Sequence, residues 1–141
     1  MKEKFNIKQF DPCTDALVYY NSCVSTEEAW NNCPRGDWML WIASKLKVDK
    51  RKLFLAKGKC AETVIHLMWD KRSIDAVNAT IAYGLGNISD EELKRAAAAA
   101  AAAYAAADAA TAKVESQKQT ADICREILTN AIFDKIKEYE Q

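Results

Sequence analysis

Apolar positions recur along this chain at three- and four-residue spacing, and the capping signals between them divide it into helices. Asp11 followed by Pro12 reads as an N-cap with proline at the first helical position. It predicts a helix to about Asn21, with Leu17, Tyr20 and Cys13 on one face. Ser25 with Glu28 three residues on forms a capping box and opens a second short helix. That helix carries Ala29, Trp30 and Cys33 and ends before Pro34, which disfavours helical geometry in its predecessor. Gly36 allows a sharp turn, and Asp37 can cap a third helix through about Leu46. Trp38, Met39, Leu40, Trp41, Ile42 and Ala43 make that helix apolar almost all round, so it is expected at the centre of the core.

Asp49 caps a longer helix, expected to reach about Trp69. Leu53, Ala56, Cys60, Val64, Leu67 and Met68 form its stripe, and Gly58 permits a close approach or a kink. A fifth helix is expected from about Ser73, burying Ile74, Val77 and Ile81 and stopping near Gly84 and Gly86. The strongest start signal follows. Ser89 with Glu92 makes a capping box, Ile88 with Leu93 a hydrophobic staple, and acidic residues crowd the first turn.

No glycine or proline occurs after that point, so the pattern allows one helix from Asp90 to about Lys137. Its middle, residues 96–112, is all alanine except Tyr104, Asp108 and Thr111. Alanine is the best helix former because it loses no side-chain entropy on ordering. Such a helix would be roughly 70 Å long. A compact domain of this length has a radius of gyration near 14 Å and is about 37 Å across. The helix must therefore break, with the polar stretch 115–120 as the favoured place, or project, or lie along a second chain. Ala96, Ala100, Ala103, Ala107, Ala110, Val114, Ala121, Cys124, Leu128 and Ala131 continue one four-three alternation, interrupted only at Gln117, a heptad seam with small residues in it. Cover from the earlier helices is the first expectation for this seam, and a second copy of the chain is the alternative. Tyr104, Asp108, Thr111, Glu115, Lys118 and Asp122 fall on another, solvated face.

Composition agrees with an all-α chain: two prolines and four glycines among 141 residues leave little to punctuate strands. The expected architecture is a single domain, residues 1–141. About five shorter helices, 11–85, pack as a bundle on a long alanine-rich helix, 89–138. The formal net charge is zero, so no overall field draws the protein to nucleic acid or membranes. No apolar run reaches the length of a bilayer span, and the N-terminal residues lack the apolar region of a signal peptide. Five scattered cysteines then read as reduced thiols, which places the protein in the cytoplasm.

Candidate chemistry is sparse. One histidine, His66, and no Cys-x-x-Cys pair argue against a metal site, and no cofactor is expected. No phosphate-cradling glycine loop or serine elbow occurs, and the paired acids at 27–28 and 90–91 are explained as helix caps, so no enzyme activity is expected. Lys45, Lys47, Lys50, Arg51, Lys52, Lys57 and Lys59 form a local basic run whose bland reading is a solvated helix face. Arg35-Gly36-Asp37 spells an adhesion tripeptide but sits at a turn and cap. Tryptophan is mostly a core residue, yet any share of Trp30, Trp38 and Trp41 left at a surface makes a hot spot. The candidate binding surface is therefore Trp30, Arg35, Asp37, Trp38, Trp41, Lys45 and Arg51.

The segment Ala29-Trp30-Asn31-Asn32-Cys33-Pro34-Arg35-Gly36-Asp37-Trp38-Met39-Leu40-Trp41 resembles the signature of a family of immunity proteins in bacterial and phage genomes. Cys60-Ala61, the alanine-rich tract, and Ala121-Asp122-Ile123-Cys124-Arg125-Glu126-Ile127-Leu128 are similar to it as well. The likeness covers most of residues 25–130, although this chain has few tyrosines in its alanine tract. It implies a non-enzymatic immunity or anti-defence factor that neutralises a protein partner, a toxin or defence component, by occlusion. It brings no catalytic residues. Two further readings come from the residues themselves. One is sequestration of an anionic metabolite or nucleotide signal by the tryptophans beside the basic run. The other is a self-assembling helical module, a homo-oligomer held through the alanine-rich helix.

Overall fold

The computed structural model describes residues 4–63, 65–67, 71–99 and 114–139. Those residues form an all-α fold without a strand. A 3-10 turn at Ile7–Phe10 precedes α1 (Thr14–Ser22), α2 (Thr26–Asn31), α3 (Gly36–Lys45) and α4 (Lys50–Glu62). A second 3-10 turn at Ile65–Leu67 leads to α5 (Lys71–Gly84), α6 (Asp90–Ala99) and the terminal helix α7 (Val114–Tyr139). No helix among the described residues is long and apolar enough to cross a membrane.

Helix α7 organises the bundle. Helices α3 and α4 pack along it, α2 touches it, and α4 carries α5, which in turn carries α6. At 26 residues α7 is about 39 Å long, roughly the breadth of the domain. Its buried row is Ala121, Cys124, Leu128, Ile132 and Ile136, facing Met39, Ala43, Leu46, Ala56 and Cys60 in one core. The C-terminal part of the seam is thus covered within the chain. The row shifts by one residue at its end: Ile132 is buried where Ala131 is only half-buried. A straight helix drifts off a strict seven-residue repeat, and the larger side chain takes the inner place. Lys118 and Asp122 are exposed, as expected of the polar face.

Of the helix expected from Asp90 to about Lys137, the described residues form Asp90–Ala99 and Val114–Tyr139. Residues 115–120 lie within continuous helix, so the break favoured there does not occur. Gln117 and Thr120 keep helical backbone, and the Thr120 hydroxyl returns to the Gln117 carbonyl at 3.1 Å. In the seam Ala96 is half-buried; Ala100, Ala103, Ala107 and Ala110 lie outside the described residues, as does the Val114 side chain.

Several caps fall where the sequence puts them. Ser25 Oγ accepts from the Glu28 amide at 3.1 Å, Asp49 Oδ2 from Lys52 at 3.1 Å, and Ser89 Oγ from Glu92 at 3.2 Å. Others move. Asp11 does not cap α1: its amide closes the first 3-10 turn on the Lys8 carbonyl, its φ is 54°, and α1 starts at Thr14. Helix α3 starts at Gly36, and the carboxylate of Asp37 is taken by Arg35 instead of the helix amides. Helix α4 stops at Glu62, short of Trp69, because the Thr63 amide and hydroxyl both turn back to Cys60 O, at 3.2 and 2.7 Å. Val64, Met68 and Trp69 lie outside the described residues. Gly58 serves a close approach, since a Cβ there would sit 2.7 Å from Ile81 Cγ1 of α5.

Candidate functional site

The tryptophan-rich segment 29–41 is first of all a clasp on α7. Trp30 is buried, and its indole N–H donates to Thr129 Oγ1 at 2.8 Å, while Thr129 donates to the Arg125 carbonyl. Arg125 turns back to the segment: Nη1 donates to Cys33 O at 2.7 Å and Trp30 O at 3.4 Å, and Nη2 to Asp122 at 2.6 Å. These carbonyls end α2; Trp30 O also takes the Cys33 amide at 3.3 Å, and the guanidinium supplies a strong donor to Cys33 O beyond the last turn. Further along, Gly36 lies against Thr120; a Cβ on it would stand 2.7 Å from the Thr120 backbone carbonyl carbon. The Cys124 thiol points at Gly36 O, 3.8 Å away. Glycine is required there because no side chain fits between α3 and α7.

On the outer side the segment builds a rigid polar-aromatic cluster. Arg35 makes a two-pronged pair with Asp37, Nε to Oδ1 at 3.0 Å and Nη2 to Oδ2 at 2.6 Å. The same guanidinium lies over the Trp38 ring, 4.5 Å from its centroid. Trp38 rests against Tyr19 of α1 at 5.8 Å between centroids, and Tyr19 donates its hydroxyl to Ala29 O at 2.8 Å. Hydrogen bonding to Asp37 raises the Arg35 pKa above its ordinary value, so the guanidinium stays charged. Arg35, Asp37, Trp38 and Trp41 are all partly exposed.

Behind this cluster is a cavity of about 90 Å³ that is not enclosed. Trp30, Trp38 and Trp41 line it, with Tyr19 from α1, Met39 and Ile42 from α3, and Ile132 and Ile136 from α7 among the other walls. Its surface is almost wholly apolar and includes no acidic or basic side chain. Burial raises the pKa of Tyr19, aided by the hydrogen bond with Cys23, and also raises that of Tyr20. Burial likewise pushes up the Cys33 thiol, which donates to Arg35 O at 3.4 Å. These groups stay neutral at ordinary pH, and a buried neutral thiol is a poor nucleophile. Cys124 is raised too, first by its hydrogen bond with Cys60 and then by burial.

The remaining expected site residues lie apart from the cavity walls. Lys45 is exposed in the last turn of α3. Arg51 donates to Tyr83 O at 2.6 Å and Ile88 O at 3.2 Å, with its guanidinium 4.3 Å from the Tyr83 ring centroid, so it locks the α5–α6 junction. The basic run disperses in the same way, with Lys50 reaching Asp90 at 3.6 Å and Lys59 reaching Glu62 at 3.6 Å. Among the described residues no group of three or more potential metal ligands converges. Reading by residue type missed Tyr19, Arg125, Thr129, Ile132 and Ile136. The last two were visible as a four-residue continuation of Leu128, whereas Tyr19 and Arg125 depend on tertiary approach.

Searched against protein-family models, curated proteins and solved structures, the chain gives no match.

Proposed function

We propose that this protein acts without catalysis, by binding and occluding a protein partner through the Arg35–Asp37–Trp38–Trp41 face, as an immunity or anti-defence factor would. The observation that carries the reading is the arrangement of that face. Arg35 is held at once by a carboxylate and an indole ring, on a segment clamped to α7 by Arg125 and Trp30. Tryptophan, tyrosine and arginine dominate binding hot spots, and a surface already held in place spends little entropy on association. The resemblance of the same segment to immunity proteins supplies the biological sense.

The test is retention of a defined partner. The purified chain is immobilised and exposed to extracts of cells expressing the genes that neighbour its own. One protein should be held in stoichiometric amount by the wild type and lost by Trp38→Ala and Arg35→Ala, each weakening binding about tenfold or more. Retention of no protein, or of one indifferent to both substitutions, overturns the reading.

A further inference from the structure

We propose that the cavity lined by Trp30, Trp38 and Trp41 is a binding site for a small uncharged apolar molecule, a single aromatic ring or a short hydrocarbon chain. The argument starts from volume and polarity. About 90 Å³ is room for more than one water. A water held there, however, needs two to four polar partners. Most polar side chains of the walls have already committed theirs. Tyr19 donates to Ala29 O, Tyr20 donates to Phe5 O at 2.6 Å, and Trp30 donates to Thr129. The Thr26 hydroxyl accepts from the Phe5 amide at 3.0 Å and meets Tyr20 Oη at 2.8 Å, and the Cys33 thiol faces Arg35 O. Water in this space would therefore be poorly held, and its displacement by an apolar guest is favourable.

Size and charge narrow the guest. Dry cavities of about 150 Å³ lined by aliphatic and aromatic side chains accept benzene. This one is smaller but not enclosed, so a ring or chain can enter and extend toward the mouth. No cation lines it, and an anionic guest would surrender its hydration with nothing in return. Among the polar side chains of the walls, the indole N–H groups of Trp38 and Trp41 make no hydrogen bond to the described residues, and as donors they tolerate one acceptor atom on an otherwise apolar guest. The inference rests on the cavity alone; its failure leaves the protein-binding face untouched.

Titration of the full chain with toluene and with 1-hexanol, followed by tryptophan fluorescence and thermal shift, tests it. Both probes should give saturable quenching and raise the melting temperature, whereas hexanoate at equal concentration should do neither. Two variants fill the space: Ala16→Leu from α1 and Ile42→Phe from α3. Each that folds should bind at least about tenfold more weakly than the wild type while melting no lower. A wild type that shows no saturable response overturns the proposal. So does binding unchanged in both filled variants, or hexanoate binding as tightly as hexanol.

Discussion

At the scale of single residues, Arg125 carries more of this structure than its position on a half-exposed helix face suggests. It is the hydrogen-bond donor to the open end of α2 and the link between that end and α7. Replacing it by leucine keeps much of the stem's packing but takes from the Cys33 carbonyl its donor, whereas Trp30 O keeps the Cys33 amide at 3.3 Å. A buried unsatisfied acceptor costs about 1–3 kcal/mol, so we expect Arg125→Leu to destabilise the fold by about 1–3 kcal/mol in urea unfolding. Arg125→Lys should recover only part of that loss, since a point charge does not reproduce the fork that spans Cys33 O and Asp122. An unchanged midpoint for the leucine variant would show that water satisfies this carbonyl equally well.

At the scale of elements, the junction of α5 and α6 is held by charge. A hydrogen bond from Tyr83 holds the Asp90 carboxyl below its ordinary range, helped by Lys50 and Arg51. A carboxylate with a depressed folded pKa contributes stability that is present above its unfolded pKa and is lost as pH falls through the folded value. Thermal melts of wild type and Asp90→Asn should therefore differ at neutral pH, with the wild type higher, and converge as the solution is acidified through that range. A gap that persists unchanged in acid would assign the difference to something other than ionisation. Elements were also what the sequence disclosed best. Ser25, Asp49 and Ser89 sit at the helix starts their side chains announce, because capping is a local reaction between a side chain and the next turn. Asp11 and Asp37 misled for the complementary reason: a distant or neighbouring group claimed them first, the Lys8 carbonyl for one backbone and Arg35 for the other carboxylate. The candidate surface was legible in Arg35, Asp37 and Trp38, which lie together in sequence. Arg51 was assigned to it by charge alone, and no local pattern reveals that its guanidinium faces α5.

At the scale of the whole molecule, packing is uneven. One large core joins α3, α4 and α7 with the N-terminal aromatics, and at its rim Tyr139 meets both Phe5 and Phe10 edge to face. Helix α5 buries a much smaller group, Val77 and Ile81 against Ala61, Leu55 and Ile65. Opening free energies follow such differences in buried apolar contact. Amide exchange should be slowest in α3 and in residues 120–136 of α7, and measurably faster throughout α5 and α6. Equal protection in all four would mean that the bundle opens only as one unit.

The clasp between the early segment and α7 also has a consequence for how the chain is made. Trp30 bonds Thr129, and Cys33 bonds Arg125, so the partners lie more than ninety residues apart. Helix α3 is complete at Lys45, yet the row that covers it ends only at Ile136, about 90 residues later. At synthesis rates of about 5–20 residues per second, Met39, Leu40 and Ala43 wait on the order of 5–20 seconds for their cover. A nascent chain stopped anywhere short of α7 presents that uncovered stripe to the cell, and binding by a chaperone in that interval is the price of closing a fold with its last helix.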